Sequence, residues 1–473
     1  MIQTLDREYL KELLEKKRNH DKGKTLDVLP FLSKRTGEIR GQFNKVLGEY
    51  IRNICELELN NKAIKNKEFA VSSESNQLSE HIASSVDYDD EDDTYDFVRF
   101  LDQYLFNQED IKPIHPFLFN YIEIKKTLKN EFGKYGQFMG DTLVQNNPEI
   151  KSIFNNKESD DILTELILEA LDGIEEAKNK NVKQYQPLMS NFTRIYQEDI
   201  LYLSKYKDYF LTSFPLLTHY YVFMYACQLI FKFEQFTKAD MEKVHPLYFA
   251  LDWESMSKRR KATDELEGYK YIKEKSNNLF PHIHAISHIS HNSLNKGEDN
   301  TEKIKFIPYS TLYRLIKNKG EEYEKAFLKD INQWIQDYLS LSWLNLDSVS
   351  VDEAKTIPEA FEVLFNCLKE GTSTDVSKKF GGNIGDLGAT QFLKTRGNYG
   401  QVFNIKHEFL LLLTAVSVKN KRIPLNTLFR EFEKRGVAFD RYSKKEIISL
   451  FDNLNILDKK SDSGDAQYVK PIL

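Results

Sequence analysis

Cysteine, proline and glycine are all scarce in this chain. Three cysteines, Cys55, Cys227 and Cys367, stand far apart among 473 residues. Their odd number and wide spacing exclude a disulfide framework or a zinc knuckle, and the expected compartment is reducing and cytoplasmic. Only 12 prolines and 20 glycines interrupt the sequence, which points to a mainly helical protein. The opening stretch, MIQTLDREYLKELLEKKRNHDKG, is charged throughout and holds no apolar signal-peptide core. Nucleotide-binding motifs are missing too. No G-x-x-x-x-G-K-[ST] occurs; Gly23-Lys24-Thr25 has the tail of that motif, but Arg18 stands where its first glycine belongs. HExxH is also absent, so neither a cofactor nor a metal is expected.

Long uncharged runs are nearly absent. The exception is Tyr209–Phe231, 23 residues without a formal charge, long enough to cross a bilayer. It contains Pro215, His219, Gln228 and four tyrosines, and no basic cluster flanks it on one side. A buried central helix pair is the expectation, with no membrane partner.

What is present is 41% hydrophobic residues, enough for two to four domains with cores of their own. Residues 1–96 read as an N-terminal helical region. Ile39, Phe43, Val46, Leu47, Tyr50, Ile51 and Ile54 keep a helical period from Gly37 to Ile54. Lys34, Arg35, Arg40 and Lys45 make that stretch basic, a solvated face in the simplest reading. Residues 60–96 are polar and run into VDYDDEDDTYD, where every residue from Asp87 to Asp93 except Tyr88 is an acid; a flexible, exposed insertion is expected. Residues 97–370 read as a central all-α domain. Within it, FPHIHAISHISHN places His284 and His288 at i, i+4 and His288 and His291 at i, i+3, with His282 nearby. No carboxylate or thiol completes a metal set, so ordinary hydrogen bonds are expected for these histidines. Asp252 and Glu254 flank Trp253 just before a basic run, but i and i+2 on a helix face different ways, so acids in a first helical turn are preferred to a nuclease dyad.

Residues 371–403 hold seven of the 20 glycines, and a basic linker is expected, with Lys394 and Arg396 as candidate phosphate contacts. Residues 404–473 then read as a winged-helix domain: a helix capped by Asn404, a short strand at KRIPL, a helix capped by Asn426, a third helix, and a hairpin around Ser461–Asp465. Ser443 heads S-K-K-E, a capping box that would open the recognition helix. This segment has thirteen Lys and Arg against nine Asp and Glu, a net of +4 in a chain of −6. That reversal suits phosphate contact, with Arg441, Ser443, Lys444 and Lys445 on the helix and Lys459 and Lys460 on the wing.

Three stretches carry a resemblance to a known family. LPFLSKRTGEIRGQFNKVLGEY (29–50), LDWESMSKRR (251–260) and LNILDKKSDSGDAQYVKPIL (454–473) are similar to DptG, a component of the bacterial phosphorothioation-dependent DNA restriction system. The resemblance implies a role in restricting DNA that lacks backbone sulfur, beside other restriction components, among them an ATPase that supplies nucleotide hydrolysis. It implies no catalytic residue here. The expectation is therefore a mainly α, non-catalytic DNA-binding and assembly subunit. Two rivals stand beside it: a metal-dependent nuclease using Asp252, Glu254 or the histidines, and a scaffold whose winged helix binds only protein.

Overall fold

The computed structural model describes residues 4–60, 77–107, 110–171, 173–178, 182–255, 268–295, 303–344, 346, 350–459 and 467–473. It is mainly helical, with 60% helix and 8% strand, as the shortage of glycine and proline predicts. Two compact units emerge, and two of the four divisions between them fall within the helices Ser190–Leu203 and Lys207–Phe233.

The second unit comprises residues 41–184 and 193–219. Its spine is the helix Phe43–Cys55. The helical period begins later than the sequence suggests because Gly37 and Gly41 take positive φ (77° and 68°) and keep the preceding stretch irregular. The spine packs against Lys129–Met139 at a glycine contact: a Cβ on Gly136 would come within 2.9 Å of the Tyr50 backbone nitrogen. Buried Tyr50 shares a hydroxyl hydrogen bond with Tyr196 (2.8 Å). The helix Ile162–Ala170 is short, and within the expected all-α region the chain then extends as strand Ile174–Glu176, paired antiparallel to Leu57–Leu59.

The expected flexible insertion also differs. Residues 61–76 lie outside the described set, but Gln77–Ala83 and Glu91–Leu105 are helices. Asp90 caps the longer one by accepting from the Asp92 amide (3.2 Å), and the acids that follow sit at the positive end of the helix dipole. Leu101 and Leu105 are its anchors, fully buried with Ile82, Leu118, Ile167 and Leu168. Acid density alone suggested a loop; the cap and the inward leucines make a helix.

The first unit comprises residues 1–40, 185–192 and 220–473. At its centre lies Leu279–Ser290, almost every side chain of which is buried. Against it pack Ile357–Gly371 and Thr374–Gly388. The latter overturns the expected linker. Gly381, Gly385 and Gly388 fall on one helical face, and there Cβ atoms on Gly381 and Gly388 would overlap the Ser276 carbonyl and the Phe223 ring, respectively. The glycines allow close approach rather than flexibility. Asp386, on the same helix and buried, receives hydrogen bonds from Arg35 (2.6 Å) and Arg40 (2.5 Å), so two members of the N-terminal basic patch serve an internal ion cluster.

Lys207–Phe233 is one continuous 27-residue helix with Pro215 inside it, not the expected pair. By length and composition it could cross a membrane, yet 83% of its most apolar window is buried within the fold.

The C-terminal segment has the order helix His407–Val418, strand Ile423–Pro424, helix Leu425–Lys434, strand Val437–Ala438, helix Arg441–Asn453, strand Leu457–Lys459 and strand Gln467–Val469. The last two strands pair antiparallel, and Gln467–Val469 also pairs antiparallel with Ile423–Pro424. Two caps differ from expectation. Asn404 belongs to strand Gln401–Ile405, so Lys406 precedes the first helix, and Pro424, not Asn426, precedes the second.

Candidate nucleic-acid interface

The helix Arg441–Asn453 begins three residues earlier than the capping box predicts. Asp440 is the N-cap, its carboxylate accepting from the Tyr442 amide (2.9 Å) and the Ser443 amide (2.8 Å). Ser443 therefore falls inside the first turn and points inward. It is fully buried, and its hydroxyl donates to Glu254 (2.9 Å). As a candidate DNA contact Ser443 is corrected: its one donor is spent inside the protein.

The other candidates on this helix face differently. Arg441 and Lys445 are exposed one turn apart and make no ion pair among the described residues. Tyr442, between them in sequence, is 54% exposed. Lys444 lies half-buried at the edge, its ammonium 5.0 Å from the centre of the Phe429 ring. Lys459 closes strand Leu457–Lys459, while Lys460 lies outside the described residues.

Lys394 and Arg396 come to the same corner of this unit, but as structural cations. Strand Leu393–Thr395 pairs with Gln401–Ile405, which in turn pairs in parallel with Ala250–Leu251. Lys394 donates to the Asp252 carboxylate (2.7 Å) and backbone carbonyl (3.1 Å). Arg396 donates to the carbonyls of Leu251 (2.7 Å) and Asp252 (3.2 Å) and to the Asn404 side chain (3.0 Å). The hydrogen bond from Lys394 holds the Asp252 carboxyl below its usual range against the opposing effect of burial, and Asn404 and Arg396 add to it. Both basic residues are corrected as free phosphate contacts.

The stretch Leu251–Glu254 thus acts as a clamp. It was expected to start a helix, but it ends a strand, and each side chain then finds a separate partner. Asp252 takes Lys394 and Asn404, Trp253 stacks on His407, and Glu254 takes Ser443 and the Leu251 amide (3.1 Å). The turn at Asp252–Trp253, closed by the Glu254 amide donating to the Leu251 carbonyl (3.3 Å), sends Asp252 and Glu254 to different partners instead of a shared metal.

The histidines are likewise occupied with packing. His291 accepts from the Lys24 amide at Nε2 (3.2 Å) and shares a 2.8 Å hydrogen bond with the Ser287 carbonyl through Nδ1, which fixes Nδ1 as the protonated nitrogen. His282 bridges Glu234 and Tyr309 (3.3 Å each). His284 and His288 are buried, and burial pushes both well below the ordinary histidine range. Among the described residues no group of three His, Cys, Asp or Glu is arranged to hold a metal. The larger of two described cavities, about 1200 Å³, is lined by Lys303, Lys305 and Arg314 but also by Asp240 and Glu242, and so favours no single charge of ligand.

Sequence reasoning missed Glu254 as the anchor beneath the helix and Tyr442 as its most exposed aromatic. The first joins residues 189 positions apart and leaves no local signal; the second sits beside Arg441 and is visible once the helix starts there. Compared with known proteins, the chain matches no family model, and no curated protein aligns with it significantly.

Proposed function

We propose that this chain is a non-catalytic DNA-binding and assembly subunit of a DNA restriction complex, and that residues 404–473 are a winged helix whose third helix meets the duplex. The observation that carries the reading is the strand order at the C-terminus. The strand between the first and second helices pairs with the last strand of the closing hairpin, which is the connectivity a wing requires. On that scaffold the helix Arg441–Asn453 takes the recognition position. Its open first turn offers Arg441 and Lys445, with Lys444 at the edge, in a segment of net charge +4. Glu446 and Asp452 are also exposed on this helix, so phosphate contact without strong base preference is the expected mode. The resemblance to DptG at residues 29–50, 251–260 and 454–473 supplies the biological setting: restriction of DNA lacking backbone sulfur, with partner components providing ATP hydrolysis.

The test uses the full chain, because the clamp at 251–254 and the parallel pairing of Val437–Ala438 with Leu247–Tyr248 tie this segment to the rest of its unit. Duplex binding is followed by fluorescence anisotropy over a salt series. Alanine at Arg441, Lys444 and Lys445 together should weaken binding evenly across sequences. It should also reduce the slope of log affinity against log salt by about 0.9 for each phosphate no longer neutralised. Unchanged affinity and slope would transfer the role of this segment to protein docking.

A further inference from the structure

The helix Glu91–Leu105 presents a second surface, unrelated to the basic one. Its inner face is anchored by Leu101 and Leu105. On the outside, Phe100 is 45% exposed, and it does not stand singly. Phe100 is the middle of a ring ladder: its centroid lies 6.2 Å from Phe97 and 5.4 Å from Tyr104, with the planes within 16° and 14° of parallel. Helical spacing puts Asp96 and Asp93, at i−4 and i−7, on the same stripe as Phe100, and Asp92 beside them. All three carboxylates are exposed, and none meets a cation among the described residues.

We infer that this face docks an arginine-bearing segment of another protein. A planar guanidinium matches both halves of the surface. It can lie over the Phe100 ring, whose stacked neighbours fix its orientation, while its edge donates to Asp96 or Asp93. An ammonium satisfies the carboxylates but stacks poorly. Nucleic acid and anionic lipid are repelled by the same acids. Residues outside 404–473 of a second copy carry −10 and are repelled as well. The inference does not rest on DNA binding, since it concerns a different helix in a different unit.

The experiment titrates the full chain with a fluorescein-labelled helical peptide bearing Leu and Arg on one face, and with its Lys-for-Arg twin. Binding of the arginine peptide should be one-to-one and at least about threefold tighter than that of the lysine twin. Phe100→Ala should weaken it about tenfold with the salt slope unchanged, as truncation of a central aromatic anchor does. The combined D92N, D93N and D96N variant should instead flatten the salt slope. Because Phe100 is exposed, the Phe100→Ala chain should melt like the parent, while the triple variant loses favourable helix-dipole contacts and should melt somewhat lower, so its binding is read well below that transition. Equal binding of the two peptides, or full binding by the Phe100→Ala chain, overturns the inference. So does a Phe100-dependent dimer in sedimentation, which would make a second copy the occupant.

Discussion

The Trp253 indole lies flat on the His407 imidazole, with ring centres 3.6 Å apart and planes 14° from parallel. Residue 253 belongs to the clamp, and residue 407 begins the first helix of the C-terminal segment. This stack and the Glu254–Ser443 hydrogen bond hold the first and third helices of that segment to one short stretch of chain.

The Glu254–Ser443 pair should behave as a coupled unit. Glu254→Ala and Ser443→Ala should each cost about 1–3 kcal/mol, because each leaves a buried polar partner unmet. A double-mutant cycle by urea denaturation should return a coupling of about 1 kcal/mol or more. Strict additivity would mean that the hydrogen bond contributes nothing in solution.

Lys394 and Arg396 should separate from the residues proposed to face DNA. Lys394→Met breaks a pair whose side chains are each more than a third exposed, so the loss should stay within about 1 kcal/mol. Arg396→Ala takes the donor from the Leu251 and Glu254 carbonyls and from the Asn404 side-chain oxygen, while the Asp252 carbonyl keeps Lys394, and should cost more. Duplex affinity, measured below the melting transition, should change little in either. A large fall with unaltered stability would return these residues to the interface.

The Gly-rich helix offers a paired comparison. Gly381→Ala forces a Cβ into the Ser276 carbonyl and should destabilise by about 2–4 kcal/mol. Gly385→Ala meets only the Tyr269 hydroxyl, at 3.2 Å, and gains helix propensity of up to about 1 kcal/mol. Thermal melts of the two variants should move far apart; similar melts would restore the linker reading of this stretch.

Stability should fall as the solution is acidified. Burial pushes His20 down to about 4 from 6.5, and drives His284 and His288 well below 6.5. A lowered folded pKa means that the unfolded chain binds protons first. Stability is therefore complete above about pH 6.5 and is lost toward pH 4, at up to about 1.4 kcal/mol per pH unit for each such histidine. The ring nitrogens of His288 make no well-formed hydrogen bond among the described residues, only a weak interaction with the Asp21 backbone. His288→Phe should therefore raise stability at pH 7 by about 1–2 kcal/mol and flatten the acid slope by one proton. A clear loss of stability at pH 7 would show that those nitrogens are hydrogen-bonded in solution.

Much of the helical pattern was legible because it is local. The stripe Phe43, Val46, Leu47, Tyr50 and Ile51 buries as its spacing predicts, and the three C-terminal helices and the strand at 423–424 lie in the expected order, with Val437–Ala438 an added strand the sequence reading lacked. Failures arose where distant contacts decide. Glycine density at 371–400 has the composition of a linker, and only the Ser276 backbone reveals why a helix needs it there. Lys394 and Arg396 looked free because their partner, Asp252, lies 142 or more residues away. The acidic stretch hid a signal that was present: Phe97, Phe100 and Tyr104 at i, i+3 and i+7, with Leu101 and Leu105 behind them.

The parallel pairing of Leu247–Tyr248 with Val437–Ala438 has a consequence for synthesis. Ribosomes add roughly 5–20 residues per second. The earlier strand therefore waits on the order of ten to forty seconds for a partner that is translated almost two hundred codons later. Throughout that interval its edge, and that of Ala250–Leu251, is open to pairing with other nascent chains. A message truncated before codon 400 would make that exposure permanent, and its product should accumulate in inclusion bodies or be degraded rather than persist as a smaller folded protein.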